Sequence, residues 1–300
     1  MIFKNIILLD GSLGFPLYHP GLGVKILIVG ILCFLETIST TVYLHRYRTH
    51  NSLKLNPAAG YFFELILWLT TGIKSALWVT IHKIHHKFSD KKGDTHSPRI
   101  PMNFLGFNIT GPLVPFLKYF ALYSDVDKVP ERIAKELAHE SKFSRFVFHK
   151  LSFVGPIVLL SFGIFLFGLS ALWMWGIVFL YLPVVAGVGV NGFGHMNHDL
   201  HEETRDHAHD LLSFIEKLPK WAYCTFWPAW FSLKTLLNFM TGGEYRHYIH
   251  HFKLNSARLT LKRFDFDIGW AVIYFLWLVR LAKDIRYISN KDNNRLLRLG

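Results

Sequence analysis

Apolar positions along this chain gather into long blocks separated by polar, histidine-bearing stretches. Gly23 to Leu44 is a mostly apolar run interrupted by Lys25 and Glu36. Its length suits a helix crossing the hydrocarbon core of a bilayer. Inside such a helix, Glu36 is expected to face other helices instead of lipid. Residues 151–169 and 172–190 are two more apolar runs, joined at Ser170-Ala171. They predict a helical hairpin that returns the chain to the side it left. Residues 61–79 have the hydropathy of a span but carry Glu64 and Lys74. Residues 87–150 are polar, with a helix expected around Glu131–Lys150, solvated charges over Asp127–Glu140, and an apolar piece, Gly111 to Tyr123, too short to span. Past residue 196 the chain reads as soluble except for an aromatic patch, Trp221–Phe231, and the run Ile268–Leu281. That run is too short to span comfortably and reads as a docked or interfacial helix.

Composition agrees with a membrane protein. Of 300 residues, 51% are hydrophobic and 16% aromatic, and mean hydropathy is +0.26, above the range of ordinary soluble domains. The net charge of +12 comes from basic residues scattered between apolar blocks, which argues against a nucleic-acid-binding face and for anionic lipid nearby. Cys33 and Cys224 are too few for a disulfide framework or a thiolate metal site, and Cys33 reads as a small apolar residue in a span. The N-terminus lacks the pattern of a signal peptide.

The candidate chemistry lies in histidine. His82-Lys83-Ile84-His85-His86 and His247-Tyr248-Ile249-His250-His251 both read H-x-x-H-H. Positions i, i+3 and i+4 share one helix face, so each stretch converges its imidazoles. At this His content the chance expectation is about 0.05 such matches in the chain. His45-Arg46-Tyr47-Arg48-Thr49-His50 and Asn191-Gly192-Phe193-Gly194-His195 complete four boxes with nine His: His45, His50, His82, His85, His86, His195, His247, His250 and His251. Nine imidazoles are too many for one ion and suit two. On a continuous α-helix, His45 and His50 would point about 140° apart, so they serve different metals or the helix ends between them. His198, His201, His207 and His209 form a further tract, read as surface or supporting residues.

A shared site constrains topology. If 61–79 crossed the membrane once, His50 and His82 would stand about 30 Å apart on opposite sides, so this helix is expected not to cross. The hairpin then brings His195 out on the side of His86. Lys and Arg are concentrated in the His-bearing loops, which places every box in the cytoplasm. The fold expected is a single all-α integral membrane domain over residues 1–300. It has few spans (23–44, 151–169, 172–190), the non-crossing helix 61–79, and a cytoplasmic helical cap (82–150 and 191–300) holding a His-rich dimetal site. Gly187-Val188-Gly189-Val190-Asn191-Gly192 matches G-x-G-x-x-G but lacks the strand–turn–helix context of a nucleotide site; its glycines suit close helix packing.

HRYRTH, HKIHH, NGFGH and HYIHH, in that order and divided by a long apolar hairpin, resemble the integral-membrane fatty acyl desaturases, most closely the delta-9 branch in its bacterial acyl-lipid form. The resemblance covers roughly residues 40–100 and 185–285, with Asp94-Thr95-His96-Ser97-Pro98 and Phe266-Asp267-Ile268-Gly269-Trp270 among its pieces. It implies two iron ions held by the nine His, with Asn191 linked to one iron through water. It also implies O₂ as co-substrate, a saturated acyl chain on a phospholipid, CoA or carrier protein, and a cis double bond as product. Glu244, just before the last box, becomes a candidate to orient a ligand through its far ring nitrogen. Electrons are expected from a separate ferredoxin-, rubredoxin- or cytochrome b5-type protein, and the location is expected to be a bacterial inner membrane. The stretch from His195 to His247 is longer than in bacterial members, with Trp221–Leu237 apparently inserted. Two other readings share these residues. A membrane hydroxylase would use the same centre; a non-catalytic metal-binding or transport protein would place His inside the spans.

Overall fold

The computed structural model describes residues 19–122, 130–138, 140–195, 219–245, 247–260 and 266–287. The tract from His198 to His209 and most of the N-terminal segment lie outside them. Helix α1 runs from Leu22 to Ile38 and continues through Ser39–Thr49 as a π-helix, its hydrogen bonds reaching back five residues. A short strand β1 (Lys54–Leu55) leads to α2 (Pro57–Thr71) and α3 (Ser75–Phe88). A hairpin, β2 (Met102–Phe104) and β3 (Phe107–Ile109), pairs Met102 with Ile109 and precedes α4 (Leu113–Leu122). Then come α5 (Pro130–Ala138), α6 (Lys142–Ser144, prolonged by π turns over Arg145–Lys150) and α7 (Val154–Phe167). Helix α8 (Ser170–Leu182) is likewise prolonged as a π-helix over Pro183–Phe193. The last elements are α9 (Lys220–Thr225), α10 (Trp227–Met240), α11 (His247–Phe252), α12 (Ile268–Leu278) and β4 (Ala282–Lys283), which pairs antiparallel with β1.

Among the described residues, two helices are long and apolar enough to cross a membrane: α1 with its π extension, 28 residues, and α8 with its own, 24 residues. The count rises to as many as four if the bent pairs α2–α3 and α6–α7 each act as one span. Helices α7 and α8 pack on each other and are joined at Gly168 and Leu169, where Ser170-Ala171 was expected as the link, and α8 also packs along α1. Their outward faces carry Ile26, Ile31, Ile157, Phe162, Leu172 and Ile177 exposed, an apolar surface that lipid would cover. Inward, Val29, Cys33, Met174 and Val178 form one buried cluster. A larger one joins Val42, Leu44, Phe63, Leu67, Ile73, Leu182, Ile273 and Leu276 beneath the His-bearing segments. Glu36 is wholly buried among these helices.

Two expectations need correction. The stretch 61–79 is not one helix: α2 and α3 meet at 92° across a break after Thr71. Gly72 takes a left-handed conformation (φ +64) and returns its N–H to Leu67 and Trp68 carbonyls, a helix C-cap that glycine adopts without strain. The polar stretch likewise holds two helices, α5 and α6, where one was expected around Glu131–Lys150. Between them Glu140 is drawn inward by Arg48 Nη2 at 2.7 Å and by His149 Nε2 at 2.6 Å.

One buried ion pair ties the ends of the chain together. Arg46, 1% exposed in the π segment of α1, donates to Asp267 Oδ1 (2.9 Å), Gly242 O (3.0 Å) and Ala257 O (2.8 Å). Asp267 also caps α12, accepting from Trp270 N at 2.8 Å, and takes Leu259 N at 2.9 Å. Removing one partner would leave the other charged, buried and unmatched. Arg46→Met is expected to destabilise the fold by about 3–5 kcal/mol, read as a lowered midpoint of thermal unfolding in detergent. The double variant Arg46→Met with Asp267→Leu should recover much of that loss. A single variant as stable as the parent would remove this pair from the account.

Candidate metal centre

Imidazoles from four chain segments meet at one end of the helices. His45 and His50 come from α1, His82, His85 and His86 from α3, His195 from just beyond α8, and His247, His250 and His251 from α11. They sort into two adjacent groups. His45, His50, His82, His86 and His250 form one; His85, His195, His247 and His251 form the other. The six-residue α11 and the last turns of α3 each contribute to both groups, because i and i+3/i+4 positions present neighbouring but distinct directions. His50 and His82, whose separation decides the topology, have ring centroids 5.5 Å apart.

His45 and His50 share a group, and the π-helix is the reason. A helix bonded i→i+5 brings the chain back to the same face after five residues, where an α-helix would have rotated the second ring away. His50 N bonds to His45 O at 3.1 Å, closing that wider turn. The same geometry recurs at Asn191, whose Nδ2 donates to Ala186 O, five residues back, at 3.1 Å. Its Oδ1 is buried without a hydrogen-bond partner, and the residue lines the cleft beside the histidines.

The nitrogen positions fit metal ions. Facing Nε2 atoms stand 2.9 Å apart for His45–His250, 2.8 Å for His250–His86 and 3.0 Å for His86–His82. In the second group the separations are 2.8 Å for His195–His247 and 3.1 Å for His251–His247. Nitrogens about 3 Å apart subtend roughly a right angle at a centre about 2.1 Å from each, an imidazole–metal bond length. His50 Nε2 is buried with no hydrogen-bond partner, as expected of a lone pair reserved for a ligand bond. Burial, followed by the neighbouring imidazoles, holds His247, His250 and His251 well below the ordinary histidine pKa. These rings are therefore neutral at physiological pH, the state that binds metal.

Carboxylates on the far side of the rings set their tautomers. His45 Nδ1 stands 2.8 Å from Glu244 Oε1, His85 Nδ1 2.9 Å from Asp94 Oδ1, and His195 Nδ1 2.8 Å from Asp90 Oδ2. Each ring places its Nδ1–H on a carboxylate, leaving the Nε2 lone pair inward. Burial alone would raise these acids. Contact with His45 (Glu244), His85 (Asp94) and His195 (Asp90) outweighs it and keeps all three ionised. Thr41 Oγ1 donates to Glu244 Oε1 at 3.0 Å and Ser97 Oγ to Asp90 Oδ1 at 2.7 Å, so the acids are themselves held. Only Glu244 was legible beforehand. Asp90 and Asp94 fall in the polar stretch 87–150, with no role expected of them beyond Asp94's place in the resemblance; their positions four and eight residues after His86 are the signal that could have found them.

The groups border a cleft of about 750 Å³ including its open mouth, lined by His45, His82, His247, Asn191, Trp78 and, further along, Thr37, Leu182 and Met240. Its walls come from α1, α8, α4 and the end of α10. The glycines of the G-x-G-x-x-G stretch serve that wall: a Cβ at Gly187 would sit 3.2 Å from Phe116 Cα, and one at Gly192 would meet Pro112 O at 2.6 Å. Glycine lets α8 lie directly on α4.

Fold and site together define a class: a helical membrane protein whose clustered imidazoles are fitted to hold a pair of metal ions beside an apolar cleft. The chain belongs to the fatty acid desaturase family, whose model it matches over residues 20–263. It is 26% identical over 262 residues (86% of this chain, 74% of the relative) to the delta-9 acyl-lipid desaturase 1 of Arabidopsis thaliana. It is 27% identical over 257 residues (83% and 67%) to the sn-1 stearoyl-lipid 9-desaturase of Synechocystis sp.. A third relative, the hex-5-enoyl-[acyl-carrier protein] acetylenase of Moorena producens, is 23% identical over 284 residues (91% and 80%). The protein is thus an oxidoreductase of the desaturase type.

If the carboxylates orient the rings, Asp90→Asn should weaken metal binding about 10–100-fold, measured by chelator competition, with helix content unchanged. Metal retention equal to the parent's would show that Asp90 does not serve His195 in this way.

Proposed function

We propose that this protein uses O₂ to introduce a cis double bond into a saturated, lipid-linked fatty acyl chain at a di-iron centre. The nine histidines would hold the two irons, one group to each, and Asn191 would reach one of them through water. The single observation carrying this reading is the pair of imidazole groups bordering an apolar cleft. When bound, iron supplies the O₂-derived oxidising power that an unactivated C–H bond requires and amino-acid side chains lack.

The chain's own residues then have a defined task. Leu182, Val185, Ala186 and Met240 give a hydrocarbon chain an apolar wall and exclude water. His45, His82 and His247 mark where along that wall a methylene would stand next to the metals. Since methylenes differ little in reactivity, position selects the carbon that reacts. The names of the Arabidopsis and Synechocystis relatives point to a lipid-linked acyl substrate, and that of the Moorena relative to an acyl chain on a carrier protein. Electrons would arrive from a separate ferredoxin-, rubredoxin- or cytochrome b5-type protein. The Lys and Arg distribution supports a cell-membrane location with the histidines toward the cytoplasm.

Expression in a host of defined saturated fatty acid content, followed by mass spectrometry that localises double bonds, tests this directly. New monounsaturated chains are expected, and hydroxy acids in their place would establish a hydroxylase. His250 Nε2 lies within 2.9 Å of both His45 and His86 ring nitrogens. His250→Ala should therefore abolish product and lower bound iron while the protein still inserts in the membrane. Full iron and full turnover in that variant would overturn the ligand assignment.

A further inference from the structure

One acidic side chain in the apolar run 61–79 has no part in the histidine centre. Glu64 lies on α2, is 4% exposed, and its Oε1 is buried without a hydrogen-bond partner. The Ser75 hydroxyl faces this carboxylate but, being neutral, cannot offset its charge. A carboxylate held this way in a low-dielectric interior is costly unless a positive group completes it.

Two further side chains with ligand atoms stand beside it. Glu140, between α5 and α6, and His149, in the π turns that follow α6, join Glu64 in a group separate from the nine histidines. One oxygen or nitrogen from each lies within 4.8 Å of those of the other two. The Glu140 and His149 side chains are only 5% and 11% exposed, so water reaches little of the group.

Neighbouring cations do not balance these charges. Arg48 donates from Nη2 to Glu140 Oε1 at 2.7 Å and from Nη1 to the Tyr43 hydroxyl at 3.1 Å, so its guanidinium is committed to that side. A proton between Glu140 Oε2 and His149 Nε2, 2.6 Å apart, would serve those two atoms and leave Glu64 as it is. A divalent ion would serve all three residues at once. Atoms at that separation can share an ion about 2.1 Å from each. An imidazole beside two carboxylates suits a first-row transition ion better than Mg²⁺ or Ca²⁺, which prefer oxygen alone.

The geometry points to a third metal site, apart from the histidine centre, in which Glu64, Glu140 and His149 hold one divalent ion of the zinc class. Its place in the fold makes it a clasp. Glu64 belongs to α2, His149 to the segment leading into α7, and Glu140 is tied by Arg48 to the π segment bearing His45 and His50. An ion there joins three parts of the chain and steadies the one from which the first histidine box projects. The inference does not rest on the desaturase reading, since none of these residues lines the cleft or belongs to the histidine groups.

The test uses the full-length protein, purified in detergent with its histidine centre loaded with iron, equilibrated with Zn²⁺ and freed of excess. Elemental analysis should find about three first-row ions per chain, two in the histidine groups and one at the clasp. Glu64→Gln and His149→Gln should each lose about one zinc ion per chain and keep the parent's iron. X-ray absorption at the zinc edge should show an oxygen-rich shell with a single imidazole, where zinc among the histidines would show imidazoles throughout. Zn²⁺ should also raise the midpoint of thermal unfolding of the parent and leave that of Glu64→Gln unmoved. A protonated Glu64 is the metal-free alternative, and it predicts the parent's zinc count in Glu64→Gln; that result would overturn the site. If the variants fail to assemble, the parent decides. A third ion with the oxygen-rich spectrum supports the clasp, and two ions or an all-imidazole spectrum overturns it.

Discussion

The structure turns on one electrostatic constraint: nine imidazoles are packed against one another in two adjacent groups, most of them buried, where a charge on one ring is disfavoured by the others. Burial disfavours the protonated ring, and every neighbour that could protonate disfavours it further. Neutrality alone does not choose the tautomer, which is where the acids enter. Glu244, Asp94 and Asp90 fix the proton on Nδ1 of His45, His85 and His195, and the backbone amides of Asp90 and His96, each 2.8 Å from Asp94, hold one of those acids in place. Arg46, paired with Asp267 at the start of α12, also donates to Gly242 O and so binds the loop before α11 to α1, keeping the last triplet against the first box.

The backbone is adapted to the same end. Helices α1 and α8, the two longest apolar helices among the described residues, each carry a π segment on the side of the histidines, at Ser39–Thr49 and Pro183–Phe193. Widened turns cost regular α-helical packing and recur where function needs a particular side-chain direction. Here the gain is specific. His45 and His50 point to one group, and Asn191 lines the cleft beside it. Gly242 and Gly243, both with positive φ, make the turn that lets Gly242 O accept from Arg46 and from Thr41. A Cβ at Gly243 would run into Asp267.

Much of the site was legible in the residues because a metal group needs several like ligands, and clustered histidines at helical spacing are rare enough to stand out. The requirement that His50 and His82 meet also excluded a single crossing between them. What could not be read followed from backbone departures that residue spacing does not encode. The 140° between His45 and His50 assumed an α-helix, and the π-helix cancels it. The bend at Gly72 was hidden in a run whose hydropathy is uniform. Asp90 and Asp94 were hidden differently: among lysines and glycine their charges resemble an ordinary solvated loop, and only their approach to His195 and His85 distinguishes them.

Helix α1 connects these observations. It supplies His45 and His50 at one end, Thr41 to hold Glu244, Thr40 and Thr37 to line the cleft, and Phe34 to stack on Phe239. Because His45, His50 and one wall of the cleft share one continuous hydrogen-bonded element, their spacing along the cleft is fixed by helical rise. That spacing does not depend on how separate bodies happen to pack. Helix α8 repeats the order, with Asn191 at the histidine end, Ala186 and Leu182 along the wall and Tyr181 behind it. Tied by the hydrogen bonds of Tyr181, Thr37 and the Met240 carbonyl, the two helices hold the histidine groups and the cleft in one frame.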